Sequence, residues 1–228
     1  LDLNFAASQI GSNAAPDARM NDFNRGSNAY FVDSDGLVKK SPHNLLVRSE
    51  ELDNASWTKQ GLTVTANAAA APDGTLTADK CVPTTATGPF KEVQQNFTVV
   101  LGESYSFSIY VKESGYNFVQ LIAASAGFGT FAINFNLSDG TVTNFSEGNS
   151  TIYNSGIDNV GNGWYRIFVV AKCLSAGSSR FAVNIIPASD SNRGASWAGD
   201  GTSAVLKWGT QASNHYVLPV DNPYIKTE

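Results

Sequence analysis

Between Val160 and Cys173 the chain reads VGNGWYRIFVVAKC, and its apolar and polar positions alternate with a period of two. Asn162-Gly163 is a hairpin-turn signal, because both residues tolerate the positive φ that a tight turn requires. Counted by twos, Tyr165, Ile167, Val169, Ala171 and Cys173 form one apolar face. Trp164, Arg166, Phe168, Val170 and Lys172 form the other, and its two cations predict a face at most half covered. A strand of this length needs partners on both edges and a second layer over its apolar side. It is therefore expected at the centre of a β-sandwich.

The same alternation recurs along the chain. In Ser104–Lys112 the apolar face is Tyr105, Phe107, Ile109 and Val111, and in Thr130–Asn136 it is Phe131, Ile133 and Phe135. Further strands are expected at 62–67, 78–83, 90–99, 117–124, 141–145, 151–160, 180–186 and 203–211, with turns at Pro72-Asp73-Gly74 and Asp139-Gly140. Roughly eight to eleven short strands at this spacing predict an all-β jelly-roll sandwich. Residues 44–212 hold that sandwich, with a short helical turn expected ahead of Trp57. Residues 1–43 read as an extended N-terminal arm with a small hairpin turning at Asp35-Gly36, and 213–228 as a C-terminal tail carrying Pro219 and Pro223. The arm holds Leu3, Phe5, Ile10, Phe23, Tyr30 and Phe31 without a core of its own, so these side chains are expected against neighbouring chains. The chain begins at Leu1 rather than Met, so it is expected to be processed, cut from a larger protein or incompletely recorded.

Composition narrows the function. Among 228 residues, 15% are charged and the net charge is −5, with Lys39-Lys40 the one adjacent basic pair. Nucleic-acid binding would call for a basic stripe, which is missing, and no apolar run reaches the length of a membrane span. Cys81 and Cys173 are read as small buried hydrophobes, a disulfide between them being possible. His43 and His215 stand apart from each other and from any nucleophile motif, so neither zinc spacing nor a catalytic constellation emerges. Adjacent carboxylates occur at Glu50-Glu51 in an expected exposed turn, and a non-enzyme is the reading that follows. No cofactor is expected. Structural calcium on Asp73, Asp79 or Asp200 lacks a supporting motif, and turn formation explains these acids.

If the two-faced strands share one sheet, its wet side presents Ser106, Ser108, Tyr110, Gln120, Asn134, Arg166 and Phe168. Neutral hydrogen-bonding groups interleaved with rings suit a sugar, and they suit a solvated or interchain face as well. Trp197 lies in SNRGASWAGDGTS, a loop with little to bury it, so a neighbouring chain or a stacked ligand is expected there. The candidate carbohydrate-binding residues are Trp197, Tyr110, Gln120, Asn134 and Arg166. Trp164 and Trp208 are assigned to packing, and Trp57 to one end of the sandwich.

Taken in order, FNRGSNAYFVDSDGLV, NLLVRSEELDNASWTK, TVTANAAAAPDGTLTADK, GESYSFSIYVK, VGNGWYRIFVVA and GDGTSAVLKWGTQ resemble the carbohydrate-binding-module-like sandwich domains of bacteriophage tail, fibre and other virion proteins. The resemblance spans Phe23 to Gln211. It implies a non-catalytic jelly roll in a virion structural or host-attachment protein, with other virion proteins and copies of itself, as a homotrimer, for partners. Host-surface glycans are the implied ligand and the virion the implied location. Members often carry an acid two positions after the last strand's Gln, where this chain has Ser213. A carbohydrate-binding module of a secreted polysaccharide-degrading enzyme is the alternative.

Overall fold

The computed structural model describes residues 30–32, 38–40, 43–124, 127–146, 148–214 and 223–228. The chain divides into two units, Leu1–Ser41 and Pro42–Glu228. In the first, β1 (Tyr30–Val32) pairs antiparallel with β2 (Val38–Lys40), Tyr30 opposite Lys40. The Asp35-Gly36 turn and the apolar arm residues Leu3, Phe5, Ile10 and Phe23 lie outside the described residues.

The second unit is a β-sandwich of two six-stranded sheets. Its strands are β3 (Thr58–Gln60), β4 (Leu62–Ala69), β5 (Ala78–Pro83), β6 (Gly88–Pro89), β7 (Glu92–Val99), β8 (Ser104–Ser114) and β9 (Phe118–Ala124). They continue with β10 (Ala132–Asn136), β11 (Thr141–Ser146), β12 (Ile152–Gly161), β13 (Trp164–Lys172), β14 (Gly177–Ile185), β15 (Ser196–Trp197) and β16 (Ala204–Ser213). One sheet runs β11-β10-β9-β14-β7-β3 and is called here the amide sheet, the other runs β12-β13-β8-β16-β5-β4 and is the ring sheet, and β15 pairs with β6. The chain crosses repeatedly between layers, as from β7 to β8 and from β8 to β9, so neighbours in sequence often part in space. Residues 44–57 form bends and turns with no helix, a departure from the expected helical turn.

Period-two alternation fills the space between the sheets. Tyr105, Phe107, Ile109 and Val111 of β8 and Ile167, Val169 and Ala171 of β13 meet Val93, Val119, Leu121, Phe181 and Val183 from the other sheet. Phe107 and Phe181 stack across the gap at 5.3 Å with an 11° interplanar angle, and Phe128 stands edge-on to Phe107 at 5.0 Å. Such offset and edge contacts add to simple burial. Trp57 is 1% exposed and donates its indole N–H to the Arg48 carbonyl at 2.9 Å. Cys81 and Cys173 are both buried and free.

The hairpin that the sequence marks at Asn162-Gly163 is a two-residue turn between β12 and β13, with φ of 53° and 78° at those positions. Both positive values are what a primed turn needs. The far face of β13 departs from expectation. Trp164, Arg166, Phe168 and Val170 are all at most 8% exposed, so the strand is buried on both sides. Part of the reason is a second apolar cluster outside the main core, in which Trp164 and Trp208 pack with Ala71 and Ala78 against Tyr110, Leu206 and Tyr224. Tyr224 belongs to the C-terminal segment. Its Ile225 N–H donates to Gln211 Oε1 at 2.8 Å, and its Thr227 hydroxyl donates to the Leu46 carbonyl at 2.7 Å.

Candidate binding site

The side chains expected on one wet face do not share a sheet. Tyr110 on β8 and Arg166 on β13 sit directly opposite each other on the ring sheet. Gln120 on β9 and Asn134 on β10 are opposite each other on the amide sheet. Alternation reports the face of a strand but not the sheet it joins, which is why the single face expected from sequence splits in two. The Arg166 guanidinium lies 5.3 Å from the Tyr110 ring centroid and donates to Ser108 Oγ at 3.0 Å. Tyr110 also meets Trp208 edge-on at 5.3 Å. Gln120 Nε2 donates to Asn134 Oδ1 at 2.6 Å, and Asn134 Nδ2 donates to the Ser191 carbonyl at 2.8 Å, so a loop lies over both. Gln120 and Asn134 are at most 1% exposed.

Trp197 is likewise held by its own chain. It forms β15 with Ser196, pairs with Gly88, and meets the Tyr116 ring edge-on at 5.2 Å. The Tyr116 hydroxyl accepts the Asp200 N–H at 2.9 Å, fixing that contact. The bare loop expected from sequence is thus a short two-stranded element that half-buries the indole. The glycine and small residues around it gave no sign of the partner, which comes from far upstream.

The three aspartates considered for calcium are all engaged by backbone donors. Asp73 Oδ1 accepts Thr75 N–H at 2.9 Å, and Asp200 Oδ1 accepts the N–H groups of Thr202 and Ser203 at 2.8 and 2.7 Å. The Ser203 hydroxyl, and after it those two N–H groups, hold the Asp200 carboxyl well below the usual carboxylate range. Asp79 accepts Leu52 N–H at 2.7 Å and Asn67 N–H at 2.9 Å. Among the described residues no group of three or more His, Cys, Asp or Glu side chains is placed to hold a metal.

A cleft of about 480 Å³ opens at one end of the sandwich, lined by Lys112, Glu113, Gly115, Leu137, Ser138, Gly163 and Tyr165. The strands explain its chemistry. Tyr165 and Glu113 continue the core-facing rows of β13 and β8 past the edge of the apolar core, Tyr165 standing opposite Val111. The Tyr165 ring rests on the β10–β11 turn, where a Cβ on Gly140 would come within 2.8 Å of it and where φ is +71°. Only glycine meets both demands. Lys112 Nζ donates to the Asn162 carbonyl at 2.7 Å, tying its ammonium to the hairpin turn. Asn117 Nδ2 donates to Ser138 Oγ across the rim. The cleft thus offers one phenol ring with its hydroxyl, one carboxylate, one ammonium and one serine hydroxyl. That set can pack against and hydrogen-bond a polyhydroxylated ring. Sequence alternation assigns Tyr165 to the core and says nothing of Glu113. The one usable signal was the place of Tyr165 two residues after the Asn162-Gly163 turn.

No family model matches the chain, and no curated protein matches it. Among solved structures it is similar to TmCBM61, determined in complex with β-1,4-galactotriose, at 9% identity and a TM-score of 0.46, covering 76% of this chain and 99% of that one. It is similar to the enzymatically active domain of bacteriophage CBA120 tailspike protein 4 at 13% identity and a TM-score of 0.41, covering 74% of this chain and only 21% of that one. The CBM22-1 xylan-binding domain from Paenibacillus barcinonensis Xyn10C gives 13% identity and a TM-score of 0.38, covering 78% of this chain and 95% of that one. Two of these three structures are named with a carbohydrate, and the third is a tailspike domain. Scores of this size carry no information about a ligand site.

Proposed function

We propose that this chain is a non-catalytic carbohydrate-binding β-sandwich of a phage virion, serving assembly and weak, multivalent attachment to host-surface glycans. The observation that carries the glycan reading is the end cleft, where Tyr165, Glu113, Lys112 and Ser138 converge on a space of about 480 Å³. The virion reading rests on the resemblance of the quoted phrases to virion sandwich domains, and on that alone. A module of a secreted polysaccharide-degrading enzyme would use the same cleft, and the flanking domains of the full-length protein separate the two.

One ring contact is worth on the order of 1 kcal/mol beyond burial, and one neutral hydrogen bond about as much. After the cost of ordering ligand and side chains, such a set leaves a Kd roughly between millimolar and micromolar. Many copies on one particle turn that into firm attachment. The test is a glycan array probed with a multivalent form, including β-1,4-galactotriose and xylan, the sugars named with two of the similar structures. Glu113→Gln and Tyr165→Ala should each abolish the signal, with Tyr110→Ala and Trp197→Ala as a second arm. Signal lost in the second arm and retained in the first would move the site away from the cleft. Silence toward every glycan would leave a purely structural virion role.

A further inference from the structure

The outer side of the amide sheet carries a straight row of polar side chains, Asn134, Gln120, Asn184, Glu92 and Gln60, each opposite the next across five strands. Asn134 and Gln120 bond each other, and Asn184 Oδ1 accepts the Lys91 N–H at 2.6 Å. Toward the other end Glu92 is ion-paired to Arg180 at 3.6 Å, its oxygens without a hydrogen bond. Gln94 Oε1, Arg180 Nε and Arg193 Nε are also buried and unpaired there. The guanidinium groups of Arg180 and Arg193 lie 5.9 and 5.5 Å from the Phe90 ring centroid. The row ends at Gln60 because β3, the last strand of the sheet, is three residues long. That strand pairs with Glu92, Val93 and Gln94 of β7, whereas β14 follows the other edge of β7 as far as Val99. Among the described residues, no main-chain hydrogen bond outside the sheet ladders involves 95–99. The 44–57 segment bonds to this stretch through the Gln95 side chain, which holds the Val47 N–H, the Val47 carbonyl and the Ser56 carbonyl. The main chain of β7 is left with an open edge beyond Gln94.

An open sheet edge is a template for another strand, and proteins blunt such edges with bulges, charges or proline. The other three outer strands of the two large sheets follow that rule. A register shift interrupts β11 against β10 and β4 against β5, and two interrupt β12 against β13. The edge of β7 has none of these devices. Its ladders with β14 and β3 run without a shift, and Gln95-Asn96-Phe97-Thr98-Val99 holds no charge, proline or glycine. Phe, Thr and Val favour strands. Asn96 and Thr98 are exposed between the buried Gln95, Phe97 and Val99, and Val100 and Leu101 beyond them are 55% and 63% exposed. The stretch also complements itself. Set antiparallel about a two-fold axis at Phe97, Asn96 meets Thr98 and Gln95 meets Val99, so no like charges oppose each other. Val100 then comes opposite Gln94. A cleft of about 200 Å³, lined by Ser56, Thr58, Gln94, Gln95 and Asn96, gives the incoming chain room there, where β3 begins.

We propose that the β7 edge at 95–99 takes up the same stretch of a second copy of this chain, antiparallel, so that two amide sheets become one continuous sheet. The proposal does not depend on the end cleft being a glycan site. Five residues of strand pairing make less than a standard interface, so the dimer is weak, with a Kd roughly between micromolar and millimolar. The full chain is followed by sedimentation velocity over concentrations spanning that range, and it should pass reversibly from monomer to dimer. Asn96→Glu combined with Thr98→Glu sets carboxylates opposite each other on both sides of the axis and should raise the Kd about tenfold or more. Asn96→Glu combined with Thr98→Lys sets opposite charges there and should leave the dimer at least as tight as in the wild type. Both positions are exposed, so the sandwich itself is spared. A chain that stays monomeric throughout overturns the proposal. So does association that both variants weaken alike or leave alike, since it then lies elsewhere or in another register. Should a variant not fold, wild-type hydrogen exchange decides. Amides within 95–99 slow as concentration rises if the edge pairs, and exchange there that is indifferent to concentration overturns the proposal.

Discussion

The outer face of the ring sheet is paved with aromatic side chains, and that of the amide sheet with Asn, Gln and one buried acid. Trp164, Trp208, Tyr110 and Tyr224 cover the first, and the polar atoms of both indoles and of Tyr224 find partners within the fold. The Trp208 indole N–H reaches Thr77 Oγ1 at 2.9 Å, Trp164 reaches the Ala70 carbonyl at 3.2 Å, and the Tyr224 hydroxyl lies 2.6 Å from Ser49 Oγ. On the second face the amides are bonded at one end of the row and unpaired polar atoms collect at the other. Rings on a sheet face are commonly taken as the mark of a sugar site. Here the rings are a second core, and the unfinished hydrogen bonding lies on the face that has almost no rings.

The largest expected effect follows from that assignment. Trp208 is 4% exposed between Tyr110, at 5.3 Å, and Tyr224, at 4.6 Å. Trp208→Ala should cost about 3–5 kcal/mol in urea unfolding, the range for emptying a buried aromatic site. A loss below about 1 kcal/mol, the scale of an exposed substitution, would return the ring face to the list of ligand platforms.

The next effect is one of pH, and it engages an acid on each sheet. Burial pushes Asp79 up to about 6 from its ordinary 3.8, outweighing the backbone bonds that lower it. Burial raises Glu92 as well, with Arg180 opposing. An acid with a raised folded pKa contributes stability that is present below its unfolded pKa and lost as pH rises through the folded value. Stability should therefore increase on going from pH 7 toward pH 5, by about 1 kcal/mol from Asp79, since only the one unit between its folded value and pH 5 is recovered in that window at ~1.4 kcal/mol per unit. Asp200, depressed rather than raised, stays ionised in both states across that window and does not oppose the trend. Denaturant midpoints that fall steadily from pH 7 to pH 5 would show both buried acids to be better compensated than their contacts imply. Glu92→Gln should flatten part of the rise, which assigns that part to the amide face.

How far sequence reaches can be judged on the same two faces. The strands of the central hairpin, its Asn-Gly turn and the core side of β8 and β13 were legible, because period-two alternation and turn chemistry are local properties. Sheet membership was not, since nothing in Gln120 or Arg166 records which layer its strand enters after a crossover. Strand β16 shows a second limit. Lys207 keeps the row of Val205 and so points into the core, where it donates to the Val183 carbonyl at 2.8 Å, and only beyond it does a register shift between Trp208 and Gln211, with Gly209 at φ +62°, reverse the alternation and turn Ala212 inward. A lysine in the row of Val205 reads as a solvent position until that bond is seen. The end cleft was hidden for a related reason, as Tyr165 and Glu113 lie in core-facing rows that outrun the core.

The smallest effect tests the satisfied end of the amide row. Asn134 Nδ2 donates to the Ser189 and Ser191 carbonyls at 3.0 and 2.8 Å, which pins the loop between β14 and β15 to the sheet. Both carbonyls have another donor, Thr143 Oγ1 at 2.9 Å for Ser189 and Gln120 Nε2 at 3.4 Å for Ser191. Asn134→Ala therefore strands neither carbonyl, and Gln120 Nε2, which loses its 2.6 Å bond to Asn134 Oδ1, keeps the Ser191 carbonyl at 3.4 Å, so the global loss should be only about 1 kcal/mol. Its local effect should be larger than its global one. Loops open with free energies well below that of the whole domain, so loosening one pin raises amide exchange across 187–195 while leaving the strands of the ring sheet protected. Exchange that rises equally on both sheets would mean the loop and sandwich open as one unit. Exchange that does not rise at all would mean that Thr143, Gln120 and the Arg193–Phe90 contact hold the loop without Asn134. Either outcome would erase the distinction between a face closed by packing and a face closed by hydrogen bonds.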